Sequence, residues 1–342
     1  MRLLLSGGTG FIGTALTNAL LVRGDEVWIL TRRRPDGAIV PGAIDKPQQA
    51  VAAYAAPQYV TWDEWEAHPE HLGKFDAIVN LAGESINQRW TAAAKRRIVE
   101  SRVTAAERIA SGVRRMPVPP SVVVNASGIS LYGHSVEKKR PRREAEFRHR
   151  TADPPFIGAN AAPQAEDQAV FDEHSPVRPA DFLGETVLAW EAAADRIPVK
   201  RMVKLRIGLV IARSGGAFPL LRLPYRLFVG GRMGHGRQGL PWIHLQDMIG
   251  LILFSLDHPE VHGPLNAVAP DPVSNDTFGR ALSAVLRRPH WFPVPGAMLR
   301  LLLGEMSTLL LTGQQAMPRK ALELGYRYSY PRLEDALKDL VL

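Results

Sequence analysis

The chain has 342 residues, 46% of them apolar and 22% charged, the make-up of a soluble globular protein with one large α/β domain and an appendage, or two domains. It has no cysteine, which excludes disulfides, thiolate metal sites and cysteine nucleophiles. Of the formal charge of +8, much sits in Lys138–Arg150, where seven Lys or Arg face two Glu, so the excess says little about the rest of the surface.

The first thirteen residues, MRLLLSGGTGFIG, join an apolar strand at Leu3–Ser6 to Gly7, Gly10 and Gly13, and a helix with an apolar stripe (Leu16, Ala19, Leu20) follows over Phe11–Arg23. In this order one glycine allows the sharp turn, one admits a pyrophosphate against the backbone, and one brings helix and strand together. The helix N-terminus then offers free N–H groups and a favourable dipole to the anion. A glycine triplet alone is weak; between a strand and a helix it points to a dinucleotide. A second strand at Glu26–Thr31 ends in Thr31-Arg32-Arg33-Arg34 with no acid. An Asp or Glu there would accept from a ribose 2′-hydroxyl, whereas arginine forks match a 2′-phosphate, so NADP(H) is the expected cofactor. The competing reading is a solvated basic turn.

The stretch Pro35–Pro57 is rich in Pro, Ala and Gln and gives no pattern. Strands follow at Tyr59–Thr61, Asp76–Asn80, Ser121–Ala126 and Val203–Val210, with helices at Thr91–Ser111 and Leu183–Asp195. Strand–helix alternation of this kind predicts a Rossmann-type doubly wound parallel sheet with helices on both faces. Residues 1–214 form the cofactor domain in this reading, and residues 215–342 a smaller C-terminal α/β substrate-side lobe with a short strand at Leu265–Ala269. The fourth strand runs into Leu81-Ala82-Gly83, small residues suited to adenine and ribose or to a plain tight turn. Residues from about Ser135 to Val170 read as a lid or a disordered insertion. Its basic part has one aromatic, Phe147, and no stacking platform, so nucleic acid is not the expected partner. The apolar run Met298–Leu311 is broken by Arg300, Gly304 and Glu305, which predicts a buried helix pair rather than a membrane span. With the first strand starting at the N-terminus and no secretory pattern, a cytoplasmic location is expected.

Several of these segments together resemble the extended short-chain dehydrogenase/reductases, and within them an atypical, epimerase-like subgroup. They are GGTGFIG, NLAGE, RWTAAAKRRIVESRV, ASGISLYG (Ala126–Gly133), FLGETVLAWEAAA, RIGLVIARSGG (Arg206–Gly216), PWIHLQD, and a tail from Phe292 to Leu337 similar to that subgroup's C-terminal domain of unknown function (about 290–340). The resemblance implies cofactor contacts at Gly7, Thr9, Gly10, Phe11, Ile12, Gly13, Thr31, Arg32, Arg33, Leu81, Ala82, Gly83, Arg102, Ala126, Arg206 and Val210.

The family's chemistry uses a Ser or Thr, a Tyr that passes a proton to the substrate oxygen, and a Lys four residues on that lowers the tyrosine's pKa. At those positions this chain has Gly128, Leu183 and Val187, so all three reactive groups are missing. Substitutes within the motifs are Tyr132, Ser127 and Glu185, with Ser130 and His244 behind them. Against each stands a plainer reading: Tyr132 as a packed residue donating one hydrogen bond, Glu185 as a first-turn acid, Trp242 and His244 as a domain junction. The histidines His68, His71, His258 and His262 show no metal-ligand spacing, and no metal is expected. Two functions remain open: an NADP(H)-dependent oxidoreductase or epimerase-like enzyme acting on an unidentified small molecule, and a non-catalytic NADP(H)-binding redox sensor or scaffold.

Overall fold

A computed structural model describes residues 1–35, 56–135 and 169–341. The expectations for Pro35–Pro57 and for the basic insertion lie almost wholly outside the described residues. In chain order the main elements are β1 (Arg2–Ser6), α1 (Phe11–Arg23), β2 (Glu26–Thr31), β3 (Gln58–Thr61), α2 (Trp62–Ala67), β4 (Ala77–Asn80), α3 (Ala92–Arg115), β5 (Val122–Gly128), α4 (Phe182–Ala194) and β6 (Arg201–Ile207). They continue with α5 (Phe218–Arg226), α6 (Leu245–Asp257), β7 (Gly263–Ala267), α7 (Asn275–Leu286), α8 (Gly296–Leu303) and α9 (Leu333–Val341).

The seven strands form one sheet in the order β7-β6-β5-β4-β1-β2-β3. Every pairing in it is parallel. A parallel sheet is buried on both faces, and the strands are accordingly apolar in consecutive residues. Leu3 and Leu5 pack with α1 and α6 on one face. Leu4, between them, packs on the other face with Trp65 and the α3 residues Ile109 and Val113. The chain leaves β1 toward β2 and β3 on one side and returns to β4 on the other, so the crevice at the carboxyl ends of β1 and β4 is the topological switch point where such sheets bind ligands.

Helix starts are written locally. Thr61 and Glu64 form a reciprocal capping box for α2, Thr91 caps α3, Asp181 caps α4 through the Gly184 N–H, and Ser274 caps α7. A second core lies beyond the sheet, where Ile211, Phe218, Tyr225 and Trp242 pack with Phe278 and Leu282 of α7 and Leu333, Leu337 and Leu340 of α9.

Three elements depart from the sequence reading. The strand expected over Val203–Val210 breaks at Gly208, and Leu209–Ile211 leaves the sheet to pair with Trp242–His244. A Cβ at Gly208 would lie 2.2 Å from the Pro241 carbonyl oxygen, so this crossing requires glycine. The strand expected in the smaller lobe near Leu265–Ala269 is β7, at the edge of the large sheet. The helix pair expected to be buried over Met298–Leu311 is short and largely open: Leu301 and Leu302 are 86% and 66% exposed, and of α8 only Leu299 is buried. Periodicity reports an apolar face but not whether anything covers it.

Candidate functional site

The β1–α1 turn is built around the missing side chains of its glycines. Gly7 has φ +75°, and a Cβ there would sit 2.7 Å from the Leu81 carbonyl carbon and oxygen. A Cβ at Gly13 would lie 2.1 Å from the Gly7 oxygen. Turn, helix and the Leu81-Ala82-Gly83 loop therefore close on one another, leaving Thr9 and Gly10 exposed at the lip. Gly10 caps α1 without any side-chain hydrogen bond, so no side chain covers the first-turn N–H groups of Phe11, Ile12 and Gly13. The Phe11 ring packs against Gly215 and Gly216, which ties the start of α1 to the segment just before α5.

Beneath the crevice the strand ends are locked together. Ser6 Oγ donates to Asn80 Oδ1 at 2.5 Å, Asn80 Nδ2 to Asn125 Oδ1 at 2.6 Å, and Asn125 Nδ2 to the Ala126 oxygen at 2.6 Å. The Ala82 N–H also reaches Asn80 Oδ1, at 3.3 Å. Arg102 approaches from α3, its Nη1 donating to the Glu84 and Ile98 carbonyls at 3.1 and 2.9 Å and its guanidinium lying over the Trp190 ring at 5.2 Å. Burial lowers its pKa to about 10, only partly offset by Glu84. A Cβ at Gly83 would lie 2.9 Å from that guanidinium, so the cation sits directly against the loop.

At the end of β2 the three arginines are not equivalent. Arg34 Nη2 meets both Glu64 oxygens, at 2.6 and 2.7 Å, and Nε donates to the Tyr59 oxygen at 3.3 Å. Glu64 in turn accepts from the Thr61 N–H, so the capping box and the arginine clamp share one carboxylate. Thr31 Oγ1 donates to the Arg33 oxygen at 3.0 Å and holds the turn from within. The side chains of Arg32 and Arg33 are exposed and have no partner among the described residues. Sequence reasoning missed Glu64, although the T-x-x-E spacing at Thr61–Glu64 is itself a capping signal.

The β5–β6 end is different. Ser127 Oγ donates to Glu191 Oε1 at 2.6 Å, and Arg206 reaches both Glu191 oxygens, through Nε at 2.9 Å and Nη2 at 3.1 Å. Arg206 Nη1 donates to the Tyr132 hydroxyl at 2.8 Å, and that hydroxyl donates to Asn266 Oδ1 at 2.9 Å. Tyr132 is buried and stacked on Phe171. Burial pushes its pKa up to about 12 despite the neighbouring guanidinium. Glu191 stays below the ordinary carboxylate value: burial raises it, but the hydrogen bond and charge of Arg206, the Ser127 hydrogen bond and Lys204 outweigh that. Ser127 and Tyr132 thus belong to one network, while Glu185 is exposed on α4 and makes no side-chain bond to it. Arg206, expected among the cofactor residues, spends Nε, Nη1 and Nη2 inside this network. Ala126 and Val210 are buried.

The positions of the missing family groups are filled with carbon. A Cβ at Gly128 would touch Val187 Cγ2 at 2.9 Å, so apolar packing closes the space where a serine and a lysine would meet. His244 is buried and caps α6, its Nδ1 accepting from the Gln246 N–H at 3.2 Å. The sequence showed no metal-ligand spacing among the histidines, yet folding brings His68, Glu70 and His71 together, with ligand atoms within 4.8 Å of one another and all three exposed. An open cavity of about 660 Å³ lies between α1 and α6, lined by Ala15, Ala19, Ile249 and Leu253, with His244, Tyr326 and Asp339 also on its wall. No helix among the described residues is long and apolar enough to cross a membrane.

Comparison with known proteins bears on the family and the fold. Residues 3–154 match the NAD dependent epimerase/dehydratase family, and residues 294–340 match a domain of unknown function, DUF1731. The epimerase family protein SDR39U1 of Bos taurus is 37% identical over all of this chain and all of its own length. The epimerase family protein YfhF of Bacillus subtilis is 35% identical, over 100% of this chain and 98% of its own. Among solved structures, human SDR39U1 (isoform 2) with NADPH superposes with a TM-score of 0.79 at 35% identity, covering 100% and 99% of the two chains. MoeE5 in complex with UDP-glucose and NAD, at 18% identity and a TM-score of 0.68 over 100% and 97% of the two chains, shares the fold.

Proposed function

This chain belongs to the epimerase family, and on that premise we propose that it binds NADP(H) in the crevice between β1 and β4 and serves an unidentified small molecule without the family's usual Ser/Tyr/Lys machinery. The observation that carries the cofactor assignment is the pair of exposed arginines, Arg32 and Arg33, without partners among the described residues, beside a third that Glu64 holds fast. The Glu64 carboxylate at this turn is taken up by Arg34, so the turn still offers a 2′-phosphate the two forks of Arg32 and Arg33. The uncapped start of α1 receives the pyrophosphate, Gly7 and Gly13 let it approach, and Arg102 stands against Gly83 on the far side. The NADPH in the human SDR39U1 structure supports the same choice. When bound, the cofactor supplies hydride transfer at its nicotinamide ring. Titration with each cofactor by calorimetry or fluorescence tests the assignment: NADPH should bind at least about tenfold more tightly than NADH, a difference of about 1.4 kcal/mol. Equal affinities would overturn it.

In the enzymatic reading the proton donor is Tyr132 or a group carried by the substrate, with Ser127 linked to Tyr132 through Glu191 and Arg206, and Glu185 at the rim. One observation favours the second reading, a non-catalytic NADP(H)-binding sensor or scaffold. The Tyr132 hydroxyl is buried, accepts from Arg206 and donates to Asn266, and so has its proton already committed. A tyrosine held near a pKa of about 12 is a poor partner for proton transfer at neutral pH.

A further inference from the structure

We propose that a pocket on the smaller unit, formed by Arg232, Asp276, Arg280, His290, Trp291 and Pro293, binds a small phosphate monoester carrying a flat ring. The pocket encloses about 200 Å³, room for a phosphate group and one ring rather than a dinucleotide. Two of its lining residues, Asp276 and His290, belong to a chain of three side chains from three segments. The Tyr225 hydroxyl of α5 lies 2.9 Å from His290 Nδ1, and His290 Nε2 lies 2.9 Å from Asp276 Oδ1 at the start of α7. The Tyr225 and His290 rings are parallel within 9°, with centroids 5.9 Å apart. Gly279 makes this possible, since a Cβ there would fall 2.5 Å from both the Tyr225 hydroxyl and His290 Cε1.

The relay has a consequence at the mouth. With Oδ1 of Asp276 engaged by His290, Oδ2 receives Arg280 Nε at 2.8 Å. That contact uses the inner nitrogen of Arg280 and leaves the two terminal nitrogens without a partner among the described residues. Arg232, exposed at the same mouth, has no partner there either. Two guanidinium groups, one of them held in orientation, outnumber the single carboxylate in the lining, so the mouth calls for an anion. A phosphate monoester has enough oxygens to meet both forks, whereas a carboxylate matches one. Trp291, fixed through Nε1 to the Phe228 oxygen at 2.9 Å and still 63% exposed, offers a platform for the ring.

Calorimetric titration of the full chain with phenyl phosphate, inorganic phosphate and benzoate tests this. Phenyl phosphate should bind one per chain and more tightly than either of the other two. Arg232→Ala and Arg280→Lys should each weaken it at least tenfold, and Trp291→Ala should reduce phenyl phosphate to the level of inorganic phosphate. Arg232 and Arg280 are exposed, so these variants keep their melting temperature. No binding of phenyl phosphate, or binding that survives Arg232→Ala, would overturn the proposal. So would binding lost in Arg32→Ala but kept in Arg280→Lys, which would place the ligand at the end of β2. NADPH affinity should not change in the Arg232 and Arg280 variants, which separates this site from the cofactor assignment.

Discussion

At the β2 end of the crevice Arg32 and Arg33 stand exposed without partners among the described residues, whereas at the β5–β6 end the buried polar side chains are bonded to one another. The contrast has a physical basis. An exposed guanidinium keeps its hydration, costs the fold almost nothing while it waits, and can exchange water for phosphate. A buried guanidinium cannot be left unpaired, so Arg206 needs Glu191 and Tyr132 in the folded chain whatever the protein binds. Free donors at a crevice point to a ligand. Groups that already satisfy each other point first to stability, even when, like Ser127 and Tyr132, they sit where chemistry belongs.

The largest effect should come from splitting the buried pair. Glu191→Ala leaves Arg206 uncompensated and should cost about 3–5 kcal/mol of stability, read from denaturant unfolding. A cost below about 1 kcal/mol would mean the network is not what the geometry describes. The same carboxylate predicts a pH dependence. Its folded-state pKa lies below its unfolded value of about 4.3, so its contribution is complete above that value and is lost as the pH falls through the folded pKa. Wild type should therefore lose more stability than Glu191→Gln on going from neutral pH to below about pH 4.

Next in size is Gly13→Ala, which forces a carbon against the Gly7 oxygen and should cost about 1–3 kcal/mol together with most NADPH affinity. Unimpaired NADPH binding by a folded Gly13→Ala protein would break the cofactor half of the comparison. Tyr132→Phe should cost about 1–3 kcal/mol, because Asn266 Oδ1 and Arg206 Nη1 each lose a partner, and should leave NADPH affinity unchanged. Smallest in stability is Arg32→Ala, which should leave the melting temperature in place and lower NADPH affinity about tenfold with no change for NADH. Glu64→Gln sharpens the point: it removes a carboxylate, frees Arg34 as a third cation and should strengthen the preference for NADPH without touching NADH.

Which parts of this were legible in the sequence follows from how local each signal is. The glycine turn, the acid-free end of β2 and the strand–helix alternation are written within a few residues, and they led to the fold. The distinction among Arg32, Arg33 and Arg34 was not legible from the run of arginines, because Glu64 decides it thirty residues later. Ser127 and Tyr132 were found as polar groups at the end of β5, but their partners lie 64 and 74 residues away, joined only when β5, β6 and α4 pack. The Tyr225–His290–Asp276 relay has no sequence spacing at all. Leu301 and Leu302 look like core in a one-dimensional pattern, and only the packing shows that they stand exposed among the described residues.

The measurement that bears most directly on the contrast between the two ends is the absorbance of bound NADPH at the reduced-nicotinamide band, followed during challenge with UDP- and GDP-sugars and small carbonyl compounds. The account predicts a protein saturated with NADPH whose absorbance barely changes, in wild type and in Tyr132→Phe alike. Rapid oxidation that disappears in Tyr132→Phe would contradict it and make the buried network an active site.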